Sequence, residues 1–299
     1  MDGVADVDPH RWTGLALLRP GQLVVTGAVG IAAIHAHHTV QVIAACTDMV
    51  LEDVAGERRV CRAAVIPPDV PHAVVRGAAD GILVHLDPES AVGSELGRLP
   101  NSPAAVHEWV RAGQSLCAPQ RQTRRMHSAT ANETSARSYE AGGIASGRSL
   151  REFDAISAWL HSLVRPGPAM EWLPDRNSCS DPGGPPRHPA VSDVLRLLPN
   201  RLSGGPIRLA ELARAVHLSE SRLAHVFSSE IGLPFRPYLR WLRLQRAVEL
   251  IAAGHSLTAV AHGAGFADSA HLTRVCRSMF GAPPSGFNGI RWVTELPPD

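Results

Sequence analysis

The sequence predicts an α+β protein of two domains: a β-rich N-terminal barrel with trailing helices, then an all-α C-terminal domain holding two helix-turn-helix units. Three observations predict it. Short β-rich runs separated by turn residues fill positions 11–88, a helical unit occurs twice after position 209, and a proline- and glycine-rich stretch lies between the halves.

Taken in order, the runs GQLVVTGAV, IAAIHAHHTVQVIAACT, VCRAAVIPP, PHAVVRG and GILVHLDPES have strand periodicity, and their number suits a small barrel or sandwich. Helical stretches follow: AVGSELGRL, AAVHEWVRAG and LREFDAISAWLHSLVR. In the last, Phe153, Ile156, Trp159, Leu160 and Leu163 form an amphipathic stripe. Residues 120–149 are polar and weakly patterned, a loop or a poorly defined helix. The run GPAMEWLPDRNSCSDPGGPPRHP is aperiodic, as a linker is. These features divide the chain into a domain over 10–165, a linker over 166–188 and a second domain over 189–290.

The second domain carries the repeat. Leu209, Leu212, Ala213, Val216 and Leu218 recur 48 positions later as Leu257, Val260, Ala261, Ala264 and Phe266. After one inserted residue, Leu223, Val226, Gly232 and Pro234 recur 49 positions later as Leu272, Val275, Gly281 and Pro283. Each copy reads as helix, tight turn, helix, over 209–232 and 257–281. Ala213 and Ala261 are small where the two helices approach. His217 and Gly265 sit where the turn needs positive φ, which Gly takes freely and His tolerates better than most residues. Ser219, and Asp268 or Ser269, are placed to cap the second helices, which stop at Gly232 and Gly281 with a proline two residues on. Between the units, PYLRWLRLQRAVELIAAG reads as one helix with Leu239, Leu242, Ala247, Leu250 and Ile251 on its apolar face.

At these residues, from about Pro189 to Asn288, the chain resembles the AraC family of bacterial transcription regulators, with FRPYLRWLRLQRAVELI and AGFADSAHLTRVCRSMFGAPPSGFN as the densest stretches. It departs from the family pattern at Cys276, where Phe is usual, at His217, where Gly is common, and at Ser285-Gly286-Phe287, where an aromatic-basic ending is usual. The resemblance implies a homodimer, joined through the N-terminal domain, that binds double-stranded promoter DNA, answers a small-molecule effector and activates transcription with RNA polymerase. The N-terminal residues of each second helix then face base edges in the major groove. These are Ser221, Arg222, Ala224 and His225 in the first unit, and Ser269, Ala270, Thr273 and Arg274 in the second. Arg274 is placed to bond guanine O6 and N7 together, and Arg208 and Arg240 are candidates for phosphate contact.

The N-terminal half resembles the cupin-like sensor domain that precedes many such DNA-binding domains. The resemblance rests on His35-Ala36-His37 with Gln41, on IPPDVPH ending at His72, and on LDPES from Leu86 to Ser90. Strand alternation puts His35 and His37 on one face, opposite His38, and in a barrel that face can turn towards His72. An effector pocket lined by His35, His37, Gln41 and His72 is the leading expectation, with no cofactor and no metal. Three imidazoles also suit zinc or iron, so a cupin-type metalloprotein or metal sensor is the alternative. Against it, enzymatic cupins add a carboxylate where this chain has neutral Gln41, and a glycine where it has Asp69. His85, on an apolar strand, reads as a satisfied core residue.

Composition sets the remaining bounds. At 299 residues there is ample chain for two buried cores. No run reaches the ~20 apolar residues that span a bilayer, and MDGVADVDPH is acidic where a signal peptide is basic, so a soluble cytoplasmic protein without membrane contact and without catalytic residues is expected. Cys46, Cys61, Cys117, Cys179 and Cys276 lack paired spacing and read as reduced thiols. From Arg187 onward there are 13 Arg against 8 Asp plus Glu, a net of +5, whereas residues 1–186 hold 16 Arg against 20 acids, a net of −4. The basic half is the half with the repeat, as phosphate binding requires.

Overall fold

A computed structural model describes residues 12–116, 147–163 and 188–293. Among the described residues seven strands come first: β1 Thr13–Arg19, β2 Gln22–Val29, β3 Ala32–His35, β4 Val40–Asp53, β5 Arg58–Ile66, β6 His72–Arg76 and β7 Ala78–Leu86. They form one sheet in the order β3-β6-β4-β7-β2-β1, with β5 also paired to β4. The pivot is the long β4. Its first half lies between β5 and β7, its second half between β5 and β6, and the register shifts between Ala44 and Met49. Such a bulge bends a strand and increases its twist, and the sheet curls into a half-barrel. Among the described residues no pairing joins its two edges, so the expected barrel is an open one.

The sheet's other edge strand comes from the far end of the sequence. After the helical domain, β8 (Ile290–Val293) returns to run parallel to β1, Gly14 opposite Ile290 and Leu17 opposite Val293. β8 begins at Ile290, the last residue of the second domain expected over 189–290. The expected linker lies outside the described residues apart from His188.

Among the described residues, three helices follow the strands: α1 Ala91–Gly97, α2 Val106–Ser115 and α3 Gly147–Ser162. Alternation along each strand divides its side chains between two cores. Leu17, Val24, Val42 and Val84 face a cluster completed by Val92 and Leu96 of α1 and by Phe153, Ile156 and Leu160 of α3. Polar contacts tie α3 to the strands: the Arg19 guanidinium donates to Asp154 at 2.7 Å, and the Gln22 amide donates to Ser157 Oγ at 2.6 Å. Ala16, Leu18, Leu23 and Val25 face the other way, into a cluster that continues unbroken into the C-terminal helices.

Those helices are α4 Pro189–Arg201, α5 Leu209–Ala215, α6 Glu220–Ile231, α7 Phe235–Ala252, α8 Leu257–Gly263 and α9 Ser269–Phe280. Helices α5 and α6 make the first unit, α8 and α9 the second. The turns carry the expected backbone, with φ 56° at His217 and 80° at Gly265. Ser219 Oγ accepts from Arg222 N, and Asp268, not Ser269, caps α9 by accepting from His271 N. Helix α7 differs from expectation in its buried face. Tyr238, Trp241 and Leu244 are buried beside Leu239 and Ala247, whereas Ile251 is exposed. The aromatic rings turn inward because α7 packs on β1 as well as on its helical neighbours.

Candidate nucleic-acid interface and histidine cluster

The first half of α6 presents Ser221, Arg222 and His225 exposed, with Ala224 half-covered. The first half of α9 presents Ala270 and Arg274 exposed, with Ser269 and Thr273 half-covered. Leu223, Val226 and Phe227, and Leu272 and Cys276, are buried on the opposite faces, so packing itself turns the polar faces outward. The Thr273 hydroxyl donates back to Ser269 O at 2.8 Å, which leaves Arg274 as the strongest free donor on that face. Arg208 is exposed at the start of α5. Arg240 is half-buried, its Nη1 at 3.5 Å from Met279 Sδ, on the side of α7 that faces the end of α9. Helix α7, 18 residues long, measures about 27 Å and holds the two units apart.

The histidines expected to converge do so, by a different route. β3 ends at His35, and His37 lies in the loop after it. Convergence comes from His35 pairing directly across from His72 in the β3–β6 register, and from Asp69 N donating to His37 O at 2.8 Å. Asp69 takes φ 60° in the turn that brings His72 round. The ring centroids of His35 and His72 lie 4.4 Å apart, those of His37 and His72 5.0 Å. His85, expected to be a core residue, is buried but belongs to the cluster: its ring is 4.7 Å from that of His37.

Hydrogen bonds fix where the protons sit. The Nδ1 atoms of His35, His37 and His72 face the backbone carbonyls of Ala33 (2.8 Å), Thr39 (3.0 Å) and Val70 (2.8 Å). A carbonyl only accepts, so each Nδ1 carries a proton, and in the neutral buried rings of His37 and His72 Nε2 presents a lone pair. The Nε2 atoms of His37 and His72 both face Gln41 Oε1, at 2.6 and 3.1 Å. The Thr39 hydroxyl donates to Met279 O at 2.8 Å, so His85 must donate its Nδ1 proton to Thr39 Oγ1 at 2.7 Å. Burial lowers the His37 pKa, pushes that of His72 down to about 3 and holds that of His85 well below the usual range. The buried rings are neutral at pH 7.

The cluster lies directly under the second unit, a contact that strand and helix patterns did not announce. The last three residues of α9 and Gly281 after it meet the cluster or the residues beside it. Ser278 O accepts from His38 N at 2.6 Å, Met279 O accepts from Thr39, and the Phe280 ring stands edge-on to His85 at 5.4 Å. Gly281 packs on the His35 ring so closely that an added Cβ would fall 2.2 Å from His35 Cδ2. Beside them, Trp241 Nε1 of α7 donates to the buried carboxylate of Asp87 at 2.7 Å. Asp87 was visible in the LDPES segment, but no local pattern names a partner 154 residues away.

Residues 212–289 match the helix-turn-helix domain family. The arabinose operon regulatory protein of Salmonella typhimurium is 29% identical over 104 residues, 34% of this chain and 37% of the relative. The Msm operon regulatory protein of Streptococcus mutans is 27% identical over 98 residues, 32% of this chain and 35% of the relative. The match thus spans little more than a third of these relatives. Among solved structures, the C-terminal domain of AraT from Geobacillus stearothermophilus aligns over 38% of this chain and 93% of its own, at 18% identity and a TM-score of 0.33. ToxT from Vibrio cholerae O395 aligns over 90% and 97%, at 11% identity and a TM-score of 0.42. No described helix is long and apolar enough to cross a membrane.

Proposed function

We propose that this chain, whose C-terminal domain is a helix-turn-helix domain of the AraC type, is an effector-responsive transcription regulator that reads promoter DNA with α6 and α9. One observation carries the reading: the doubled unit presents equivalent, outward-facing polar surfaces at the starts of two helices held apart by α7. An α-helix fits the major groove, and a rigid spacer of about 27 Å suits two grooves on one side of a duplex. The excess of arginine over acids in this half supplies the phosphate attraction. Ser221, Arg222, Ala224 and His225 read one half of the site, and Ser269, Ala270, Thr273 and Arg274 the other, with Arg208 and Arg240 towards phosphates.

In this reading the N-terminal half-barrel senses a small effector at His35, His37, Gln41 and His72, and joins two copies into a homodimer. The protein acts in the cytoplasm as an activator, engages RNA polymerase and performs no catalysis. Support for sensing is the direct packing of that cluster on the end of α9. Selection of duplexes from a random pool by the purified full-length chain tests the whole. A single enriched motif is expected, bound with steep salt dependence. On that motif Arg274→Ala should cost about 1–3 kcal/mol and relax preference at one base pair. Equal loss on all single-base variants would reassign Arg274 to phosphate.

A further inference from the structure

We propose that Arg222 of α6 and His271 of α9 are a matched pair of phosphate anchors, which seat the two reading helices against corresponding walls of two major grooves. The inference rests on the promoter-reading proposal and deepens it: Arg222 moves from a base edge to the backbone, and His271 joins the contacts.

The repeat sets the pairing. Leu223 recurs as Leu272 at an offset of 49, so Arg222 and His271 are equivalent, as are Ser221 and Ala270, Ala224 and Thr273, and His225 and Arg274. Both leucines are buried. Successive residues of an α-helix turn by about 100°. The neighbours of each leucine therefore stand on the two flanks of its helix, and the residues two places before and after it stand on the outer face. A helix with its side chains is about as wide as the groove, roughly 10–12 Å against about 12 Å. The outer face, with Arg274 and His225, then meets base edges while the flanks meet the sugar-phosphate walls.

The flanks are unequal, and in the same sense in both units. On one stand Ala224, which has no side-chain donor, and Thr273, whose hydroxyl donates to Ser269 O. On the other stand Arg222, exposed and with its guanidinium engaged by no described residue, and His271. The imidazole of His271 is held from three directions. His271 N donates to Asp268 Oδ1 at 2.6 Å, Nδ1 accepts from Ala267 N at 3.3 Å, and the ring stands edge-on to Phe266 with centroids 5.4 Å apart. A backbone N–H only donates, so while that bond holds the ring's one proton is on Nε2, where no described residue accepts it. The result is an uncharged donor of fixed direction, which loses little freedom on binding. Phosphate oxygens accept hydrogen bonds whatever the sequence, and they suit a donor that stands off the base-reading face. The two units thus grip the backbone by different means, Arg222 by charge and His271 by a hydrogen bond.

The test measures the full-length chain on the selected duplex and on its single-base variants. His271→Ala should weaken binding about tenfold on all of them alike, with the salt dependence unchanged, because an uncharged donor releases no counterion. Arg222→Ala should also weaken all alike, and lower the salt slope by about one. His271→Arg should recover the binding and raise the slope by about one. Duplexes with a single neutral methylphosphonate, moved along each strand, locate the partners. One such linkage should weaken the wild type but not His271→Ala, and a second, about one helical turn away, the wild type but not Arg222→Ala. Wild-type affinity in His271→Ala, a loss confined to variants of one base pair, or the lack of such linkages overturns the anchors. A wild type that binds duplexes without selecting a motif removes the promoter-reading proposal instead. The anchors then stand or fall by the same losses on unselected DNA, since phosphate contacts need no sequence.

Discussion

Gly232 and Gly281 end corresponding helices, with φ 70° and 73°, yet a methyl group added at Gly232 meets nothing within 4 Å while one at Gly281 falls 2.2 Å from His35. The same contrast recurs at the turns. His217 holds φ 56° with its side chain exposed, whereas a Cβ at Gly265, φ 80°, would lie 2.2 Å from Leu202 O. Both turns close with equivalent bonds, Leu218 N to Ala213 O at 2.9 Å and Phe266 N to Ala261 O at 2.8 Å. Local rules therefore build the two units alike, and surroundings make them different. The first unit is tied to its own domain, where Glu230 at the end of α6 accepts from His188 N at 3.0 and 3.1 Å. The end of the second is tied to the sheet and its histidines. Among the described residues, the end of the second unit is the one hydrogen-bonded beside the histidines.

The sharpest way to break this comparison is Gly265→Ala. The substitution adds left-handed strain and forces a backbone carbonyl aside, which together should cost on the order of 3 kcal/mol. Urea unfolding followed by tryptophan fluorescence measures it, since Trp241 is buried in the same domain. A cost below about 1 kcal/mol would mean that the turn relaxes freely and that the two turns are interchangeable.

A smaller effect separates the helix ends. Gly232→Ala should cost about 1 kcal/mol of stability, from the positive φ alone, and leave DNA binding unchanged. Gly281→Ala should cost about 2 kcal/mol, because the methyl group must also displace the His35 ring. Its larger signature is faster amide exchange at Ser278–Gly281, as the end of α9 lifts from the sheet. Equal exchange in the two variants would show that the Gly281 contact does not hold the domains together.

Much of this was legible in the sequence because it is local. A cap, a positive-φ turn and a Gly-x-Pro stop are each specified within a few residues, and a repeat states them twice. The described helices after the sheet were legible for the same reason, α3 through its stripe of Phe153, Ile156 and Leu160. Convergence of His35, His37 and His72 was legible only by residue type. Alternation along a strand suggested it, but His37 is past the strand's end and reaches the cluster through the Asp69 turn. Three features were not legible at all: β8, the Asp87–Trp241 bond and the seating of α9 on Thr39. Each joins residues more than 150 positions apart, and four residues such as IRWV carry no mark of a parallel partner in β1. The open, bent sheet follows from the β4 bulge, where no proline or glycine stands.

The smallest expected effect is the most specific check on why the units differ. If His217 survives in the first turn only because its side chain points to open solvent, the residue contributes little beyond a tolerated φ. His217→Gly then relieves about 1 kcal/mol or more of left-handed strain, and gives back roughly 0.4–1 kcal/mol through the greater freedom of glycine in the unfolded chain. Net stabilisation of less than about 1 kcal/mol should appear in urea unfolding, with binding to the selected DNA unchanged. Destabilisation beyond 1 kcal/mol would mean that the imidazole makes a stabilising contact, and the departure from glycine at this turn would be a gain rather than a tolerance.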